Sequence, residues 1–137
     1  GEVILQSRHP DLPLWPAVLR GDYRRVADAL LEGRRALGLP PFGHLAMLRA
    51  ESLQPGEGQT LLQQAADSLP GGPVQVMGPV PAPLERRQGR FRYQLLFMSP
   101  TRPALHQCLR QALAQLADNP NSRKFRWHLD VDPTDML

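Results

Sequence analysis

Arginines are concentrated in one short stretch of the sequence, where Arg86, Arg87, Arg90 and Arg92 lie within seven residues. A cluster of this density can bind the phosphate oxygens of a polymer, because each phosphate offers one negative charge to one guanidinium. Gly89 interrupts the cluster and would let the backbone bend close to a phosphate chain. The stretch therefore predicts a surface that could contact a phosphate backbone.

Charge is unevenly distributed along the chain. The net charge is only +3, yet nine Lys and Arg stand against one acid, Asp118, between residues 86 and 126. Residues 1–85 carry seven arginines and nine acids, and the last eleven residues add three acids. A basic segment between neutral or acidic flanks indicates a localised anionic partner, with nucleic acid as the first candidate. The alternative is a solvated basic face that has no partner.

A second basic group lies on a predicted helix. Arg102 falls at its N-terminus, where free backbone N–H groups already favour anions. His106 and Arg110 follow at i+4 and i+8, on the face opposite the leucine stripe of the helix. An acidic peptide or a phosphate could dock there. An exposed polar helix face without a ligand is the competing interpretation.

The residue types that catalyse reactions are not arranged to do so. The four histidines are scattered, no Gly-x-Ser-x-Gly motif is present, and Cys108 falls on an apolar helix stripe that favours a core position. Residues 55–60 resemble a phosphate-binding loop only faintly, since they lack the lysine and include Glu57. We therefore predict no catalytic residue and no cofactor or metal within this chain.

Three acids near the end of the chain raise one metal alternative. Asp130 and Asp132 share a strand face, Asp135 follows shortly after, and carboxylates so placed could hold Mg²⁺. Solvated acids at the end of a strand are the favoured interpretation, because Pro133 stops the strand there. Ion pairing with Arg126 and His128 on the same face is a third.

Composition limits the class of protein. With 137 residues, 42% of them hydrophobic, the chain is long enough for one ordinary globular domain and a short extra segment. No apolar run reaches the ~20 residues that a membrane span needs, and no signal sequence is evident. The single cysteine excludes an internal disulfide and fits a reducing cytoplasm. We expect a cytoplasmic protein without a membrane partner.

The first part of the chain predicts structure without a core of its own. Residues 2–6 predict a short strand and residues 13–19 a helical turn. Asp22 is a suitable N-cap for a helix that should end near Gly38, before Pro40 and Pro41. One strand and two helices do not make a self-sufficient core. We therefore interpret residues 1–38 as the tail of a preceding domain and residues 39–137 as a second domain.

The second domain shows a regular alternation of patterns. Strands are predicted over residues 42–50, 74–77, 91–97 and 124–131, and helices over residues 57–69 and 103–116. Thr101 is the predicted cap of the second helix, and Pro103 suits its first turn. The order β-α-β-β-α-β predicts an α+β, ferredoxin-like sandwich, with two helices on one face of a four-stranded sheet.

Between the second and third strands, the sequence predicts a stiff arm instead of regular structure. Pro79, Pro81 and Pro83 alternate there and lead directly into the arginine cluster. We expect this arm and Arg86–Arg92 to form one edge, whose charge favours a nucleic acid as its partner.

Four segments of the chain resemble one known family. LPPFGHLAMLR, GPVPAPLERRQGRFRYQLLFMSPTR and KFRWHLDVDPTDML are similar to the C-terminal end of the bacterial replication-restart helicases of the PriA (primosomal protein N′) family. GEVILQSRHPDLPLWPAVLRGDY resembles the tail of that family's second helicase lobe. The resemblance covers essentially the whole chain.

The resemblance implies an ATP-dependent DNA helicase that reloads the replisome at abandoned forks. By this resemblance, ATP, Mg²⁺ and zinc are expected in the parent protein. Their sites should lie outside this chain, because no Walker lysine, DEAH box or zinc cysteines occur in these 137 residues. By the same resemblance, the chain alone should neither hydrolyse ATP nor unwind DNA. Expected partners are branched or fork DNA, other primosome proteins and the acidic tail of single-stranded DNA-binding protein (SSB), in a nucleoid-associated setting.

The resemblance also implies residue roles. Arg86, Arg87, Arg90 and Arg92 match the family's basic run and are the expected DNA contacts. The segment SPTR matches the family's Ser-Pro-Ser-Arg, which makes Arg102 the expected partner of the SSB-tail carboxylates. His106 stands where relatives commonly have Gln, and its imidazole can also donate a hydrogen bond, while Arg110 would complete the site. The alternative is a structural module that braces the helicase lobes without touching DNA.

Overall fold

The computed structural model describes residues 1–133. The chain divides into two compact units, Gly1–Leu37 and Gly38–Leu137. The first unit contains helices α1 (Trp15–Leu19) and α2 (Tyr23–Ala36). Gly21, at φ +67°, separates them. The backbone N–H of Arg25 donates to Oδ1 of Asp22 over 3.1 Å, so the predicted N-cap is confirmed.

The strand predicted over residues 2–6 is wrong. These residues form no strand, and Val3 and Ile4 are more than 80% exposed. A β-type sequence becomes a strand only when a neighbouring strand satisfies its backbone groups. All four strands of the described chain pair with one another in the second unit.

The second unit follows the predicted order of elements. Strands β1 (His44–Ser52), β2 (Gln75–Arg87), β3 (Arg90–Ser99) and β4 (Arg126–Val131) form an antiparallel sheet in the order β2-β3-β1-β4, and helices α3 (Glu57–Asp67) and α4 (Arg102–Asp118) follow β1 and β3. A 3₁₀ turn, Ser122–Lys124, precedes β4. This α+β arrangement agrees with the predicted ferredoxin-like fold.

Both helices cover the same face of the sheet. Ala46, Leu48 and Ala50 of β1 meet Tyr93, Leu95 and Phe97 of β3 in one buried core, which the apolar stripes of α3 and α4 complete. The Tyr93 hydroxyl accepts the backbone N–H of Gly56 over 2.7 Å, which fixes the start of α3 to the sheet. Burial of these apolar side chains is the main contribution to the stability of the unit.

The predicted proline arm is part of strand β2. The strand begins near the predicted residue 74 but continues through the prolines to Arg87. It pairs with β3 in three stretches, at residues 75–77, 80–81 and 86–87. Its register shifts twice, between Met77 and Val80 and between Pro81 and Arg86. Proline cannot donate a ladder hydrogen bond, and β2 tolerates three prolines because it is an edge strand. The prolines therefore belong to the sheet that presents the arginines.

Helix α4 begins where it was predicted to begin, but without the predicted cap. Thr101 occupies the N-cap position, yet its side chain makes no capping hydrogen bond. Instead the hydroxyl of Ser99 donates to the carbonyl of Thr101 and accepts its N–H, over 2.9 and 3.3 Å. The turn from β3 into α4 is thus fixed from the strand side.

Candidate nucleic-acid interface and anion site

The arginine cluster lies at the end of a β-hairpin. A two-residue turn, Gln88 and Gly89, joins β2 to β3, and both residues have positive φ angles, 50° and 78°. This is the geometry of a type I′ turn, which glycine at the second position accommodates without strain. Arg87 and Arg90 are cross-strand partners on either side of it. Residues 86–91 are called the hairpin tip below.

Two arginines of the hairpin tip are exposed. Arg86 and Arg87 both lie at the end of β2, where every side chain from Pro83 onward is exposed. The guanidinium carbon of Arg86 lies 5.4 Å from the centre of the Phe91 ring. Phe91 itself packs against the core. The cation–π contact therefore anchors one charge of the tip to the folded sheet while the head group stays accessible.

The hairpin tip has no internal counter-charge. Glu85 is the nearest acid in sequence, and it forms no ion pair with the arginines within residues 1–133. Nη1 of Arg90 is buried and has no hydrogen-bond partner among the described residues. A buried guanidinium nitrogen without an acceptor is rare in native proteins. Arg90 is half-buried, so it offers less exposed charge than Arg86 and Arg87.

Arg92 is oriented differently from the other three. It is 9% exposed, and its Nε lies 3.6 Å from Oε1 of Glu51 on the adjacent strand β1. Its Nη1 donates to the carbonyl of Leu84 over 3.5 Å. The side chain therefore joins three strands, β2, β3 and β1. Arg92 is therefore held inside the sheet, and the exposed charge of the tip lies on Arg86 and Arg87.

The second predicted group is brought together at the start of α4. Arg102, His106 and Arg110 are all exposed, on the face away from the buried stripe of the helix. Nη2 of Arg102 lies 3.1 Å from Oδ2 of Asp132, in an ion pair that is about half exposed. A carboxylate therefore already occupies part of the predicted anion site. These four residues are called the Arg102 corner below.

Asp132 reaches Arg102 because the end of β3, the start of β1 and the end of β4 lie together at one end of the sheet. Ser99 at the end of β3 is opposite His44 at the start of β1, and Val131 at the end of β4 is opposite Ala46. The backbone N–H of Asp132, with φ at 54°, donates to the carbonyl of Leu45 over 2.9 Å. Thirty residues separate the pair in sequence, so only the strand register brings them together.

The acids near the end of the chain serve as ion-pair partners. Oδ2 of Asp130 lies 3.8 Å from Nη1 of Arg49, and Asp132 pairs with Arg102. The partners are thus arginines of other elements and not the predicted Arg126 and His128. Within residues 1–133 no group of three potential metal ligands exists. Asp135 lies outside the described residues.

Cys108 has the structural role that its position on the helix stripe predicted. It belongs to the core cluster and is 8% exposed. Burial raises the pKa of its thiol, because a thiolate would lose its hydration there. A thiol kept protonated in this way is a poor nucleophile.

Among the described residues, no helix has the length and apolar character that a bilayer crossing requires.

Comparisons with known proteins agree with this description. The family described as Primosomal protein N C-terminal domain matches residues 35–134. A Replication restart protein PriA from Haemophilus influenzae is 36% identical over 99% of this chain, and its namesake from Synechocystis is 33% identical over 74%. The chain spans 19% and 12% of the length of these two relatives.

The match covers the whole second unit up to residue 134, including the hairpin tip and the Arg102 corner. A family match over most of the chain, together with identity above one third along nearly its full length, fixes the family independently of any functional argument. The chain belongs to the primosomal protein N C-terminal domain family.

Proposed function

We propose that this chain is the DNA-contacting C-terminal module of a replication-restart protein that assembles the primosome at branched DNA. The observation that supports it most directly is the hairpin tip, where exposed arginines have no internal acid partner. Arg86, Arg87 and Arg90 are the proposed phosphate contacts, and Arg92 holds the strand that carries them. The names of the relatives support the restart role.

The activities of the parent protein lie outside this chain in the proposal. We place ATP hydrolysis, unwinding, Mg²⁺ and zinc in the remainder of a longer polypeptide, since this chain spans only about a fifth of its relatives. The module supplies binding and not catalysis. Its partners are fork DNA, other primosome proteins and the acidic tail of SSB, in the bacterial cytoplasm.

A salt-dependence experiment tests the DNA contact. Arg86→Gln with Arg87→Gln should weaken binding of a fluorescent fork DNA and lower the slope of log affinity against log salt by roughly 1.8, the value for two duplex phosphates. Arg24→Gln with Arg25→Gln is the matched control, because it removes two adjacent exposed arginines from α2. Binding and slope should change little in this control.

The result also separates the proposal from the structural alternative. If the hairpin variant binds fork DNA with unchanged affinity and slope, the tip does not contact DNA. A module that only braces other domains would then be favoured, and the same variant should destabilise the full-length parent. Equal losses of fork-DNA affinity in the hairpin and control variants would mean that the effect comes from net charge and not from the tip.

A second proposed role, binding of an acidic peptide such as the SSB tail, concerns the Arg102 corner. The specific observation in its favour is that Arg102 already binds a carboxylate, that of Asp132. His106 and Arg110 extend the same exposed face by one and two helical turns. Calorimetric titration of an acidic peptide into the chain tests this role, with the variants described in the Discussion.

A further inference from the structure

A third basic surface lies at the edge of the sheet opposite the hairpin strand. Strand β4 and the 3₁₀ turn before it carry Arg123, Lys124, Arg126 and His128, and residues 119–129 contain no acid. All four side chains are exposed. None of them forms an ion pair within the part of the chain that the structure describes.

Two aromatic residues alternate with these charges. Phe125 and Trp127 are two residues apart in extended backbone, so they project to the same side, about 7 Å from one another. Phe125 is half-buried and packs against the core. Trp127 keeps 36% of its surface exposed, and its indole N–H makes no hydrogen bond within residues 1–133.

Trp127 remains accessible because of its place in the sheet. Its cross-strand partner is Ala50, a core residue, so the indole lies on the side of the helices. Helices α3 and α4 pack mainly on β1, β2 and β3, and β4 is the outer strand. The ring is therefore held by its strand while part of its surface faces solvent.

We propose that this β4 edge binds single-stranded DNA, with Trp127 stacking on an unpaired base and Arg123 and Lys124 contacting the flanking phosphates. Every base has a π-face, so an aromatic side chain beside a basic track is the usual means of binding single strands without sequence preference. The inference rests on the proposed function for its ligand class, DNA. It goes beyond that function by assigning a binding surface other than the hairpin tip and by specifying single-stranded DNA.

The same features disfavour other ligands. A base inside a duplex is already stacked and cannot reach an indole, so duplex DNA would use the cations but not Trp127. The carboxylates of an acidic peptide would also gain nothing from the aromatic ring. Glu57 lines the cleft beside Lys124 and Phe125, and its charge would repel a phosphate from that cleft. The strand should therefore run along the outer side of β4.

Fluorescence of Trp127 provides the test. The chain has two tryptophans, so Trp15→Phe leaves Trp127 as the single reporter. A short oligothymidylate should quench its emission and bind on the order of tenfold more tightly than an abasic strand of the same length. Arg123→Gln with Lys124→Gln should lower the salt slope by roughly 1.4, the value for two single-strand phosphates.

Two further variants keep the result interpretable. Trp127→Leu should abolish the preference for thymidylate over the abasic strand, while Arg24→Gln with Arg25→Gln should leave quenching and preference unchanged. If Trp127→Leu does not fold, the comparison of the two strands on the Trp15→Phe chain still decides. Equal affinity for both strands without quenching, or equal quenching by an acidic peptide, would overturn the inference.

The outcome is separable from that of the fork experiment. Loss of fork binding in the hairpin variant together with no base preference at β4 supports the proposed function and refutes this inference. The reverse result, base-dependent quenching with no effect of the hairpin variant on fork binding, refutes the hairpin contact and supports the β4 surface.

Discussion

The hairpin tip and the Arg102 corner are both rich in arginine, but their charges differ in availability. Arg86 and Arg87 are exposed, and the guanidinium of Arg86 lies over an aromatic ring. Arg102 is also exposed, yet it is paired with Asp132 at 3.1 Å. A ligand of the tip would meet cations that have no acid partner within residues 1–133, whereas an anion at the corner would compete with a carboxylate.

Arginines that are close in sequence differ in how much of their charge reaches solvent. Within seven residues of sequence, Arg87 reaches solvent while Arg92 is 9% exposed and bound to Glu51 and to the Leu84 carbonyl. Side chains two residues apart on a strand lie on the same face of the sheet. The end of the hairpin, however, extends beyond strand β1, so Glu51 does not reach the arginines there. Distance from the neighbouring strand therefore determines which arginine is free.

The largest effect should come from breaking the Arg92–Glu51 pair. Arg92→Met should lower the free energy of unfolding by about 2 to 4 kcal/mol, because Glu51, whose side chain is 26% exposed, would lose its counter-charge in a poorly hydrated position. Arg87→Met, at the tip, should stay within roughly 0.5 kcal/mol, as exposed substitutions usually do. Urea denaturation monitored by circular dichroism gives both values.

A double-mutant cycle sharpens this contrast. Glu51→Gln combined with Arg92→Met should be more stable than the sum of the single changes predicts, because neither variant residue leaves a charge behind. If Arg92→Met and Arg87→Met cost the same, the two arginines are equivalent. The distinction between tip and strand interior would then be wrong.

Next in size is the loss of the corner's central cation. Arg102→Gln should weaken binding of an acidic peptide by about 1 to 2 kcal/mol, in the lower range for charged hydrogen bonds because the side chain is 58% exposed. Arg87→Gln removes an equal charge at the tip and should leave the calorimetric affinity for the peptide nearly unchanged. Similar losses in both variants would mean that the peptide responds to net charge and not to the corner.

Local patterns in the sequence predicted most of the fold. The apolar periods located all four strands and both core helices, and Asp22 was identified as a cap from its type and place alone. Three predictions from local pattern failed. The side chain of Thr101 makes no capping hydrogen bond. Residues 2–6 form no strand, and the prolines of residues 79–83 belong to β2, because strand formation depends on a partner that composition does not reveal.

The sequence predicted the locations of the basic residues but not their partners. Arg92 and Glu51 are cross-strand neighbours in a register that hydrophobic alternation alone leaves undetermined. Asp132 is thirty residues from Arg102 and meets it only because β4 and β3 both flank β1. Because this contact is not visible in the sequence, the sequence alone allowed Asp132 to be interpreted as a solvated acid or as a metal ligand. Long-range register is the information that was missing.

The smallest effect should come from Asp132, and it most directly tests the contrast between a free and an occupied arginine. Asp132→Asn should raise the affinity of the corner for an acidic peptide by up to about fivefold, since an exposed ion pair contributes at most about 1 kcal/mol. Asparagine tolerates the φ of 54° at this position and so preserves the backbone. The gain should shrink as salt is added, because screening weakens the internal pair.

Asp130→Asn is the control that gives this small change its meaning. It removes the same charge from the same strand end, but Asp130 pairs with Arg49 and not with Arg102. If both variants raise the peptide affinity equally, the gain comes from net charge, and the carboxylate on Arg102 does not compete. A gain confined to Asp132→Asn, and lost when Arg102→Gln is added, would establish that the chain's own acid occupies the site that the peptide uses.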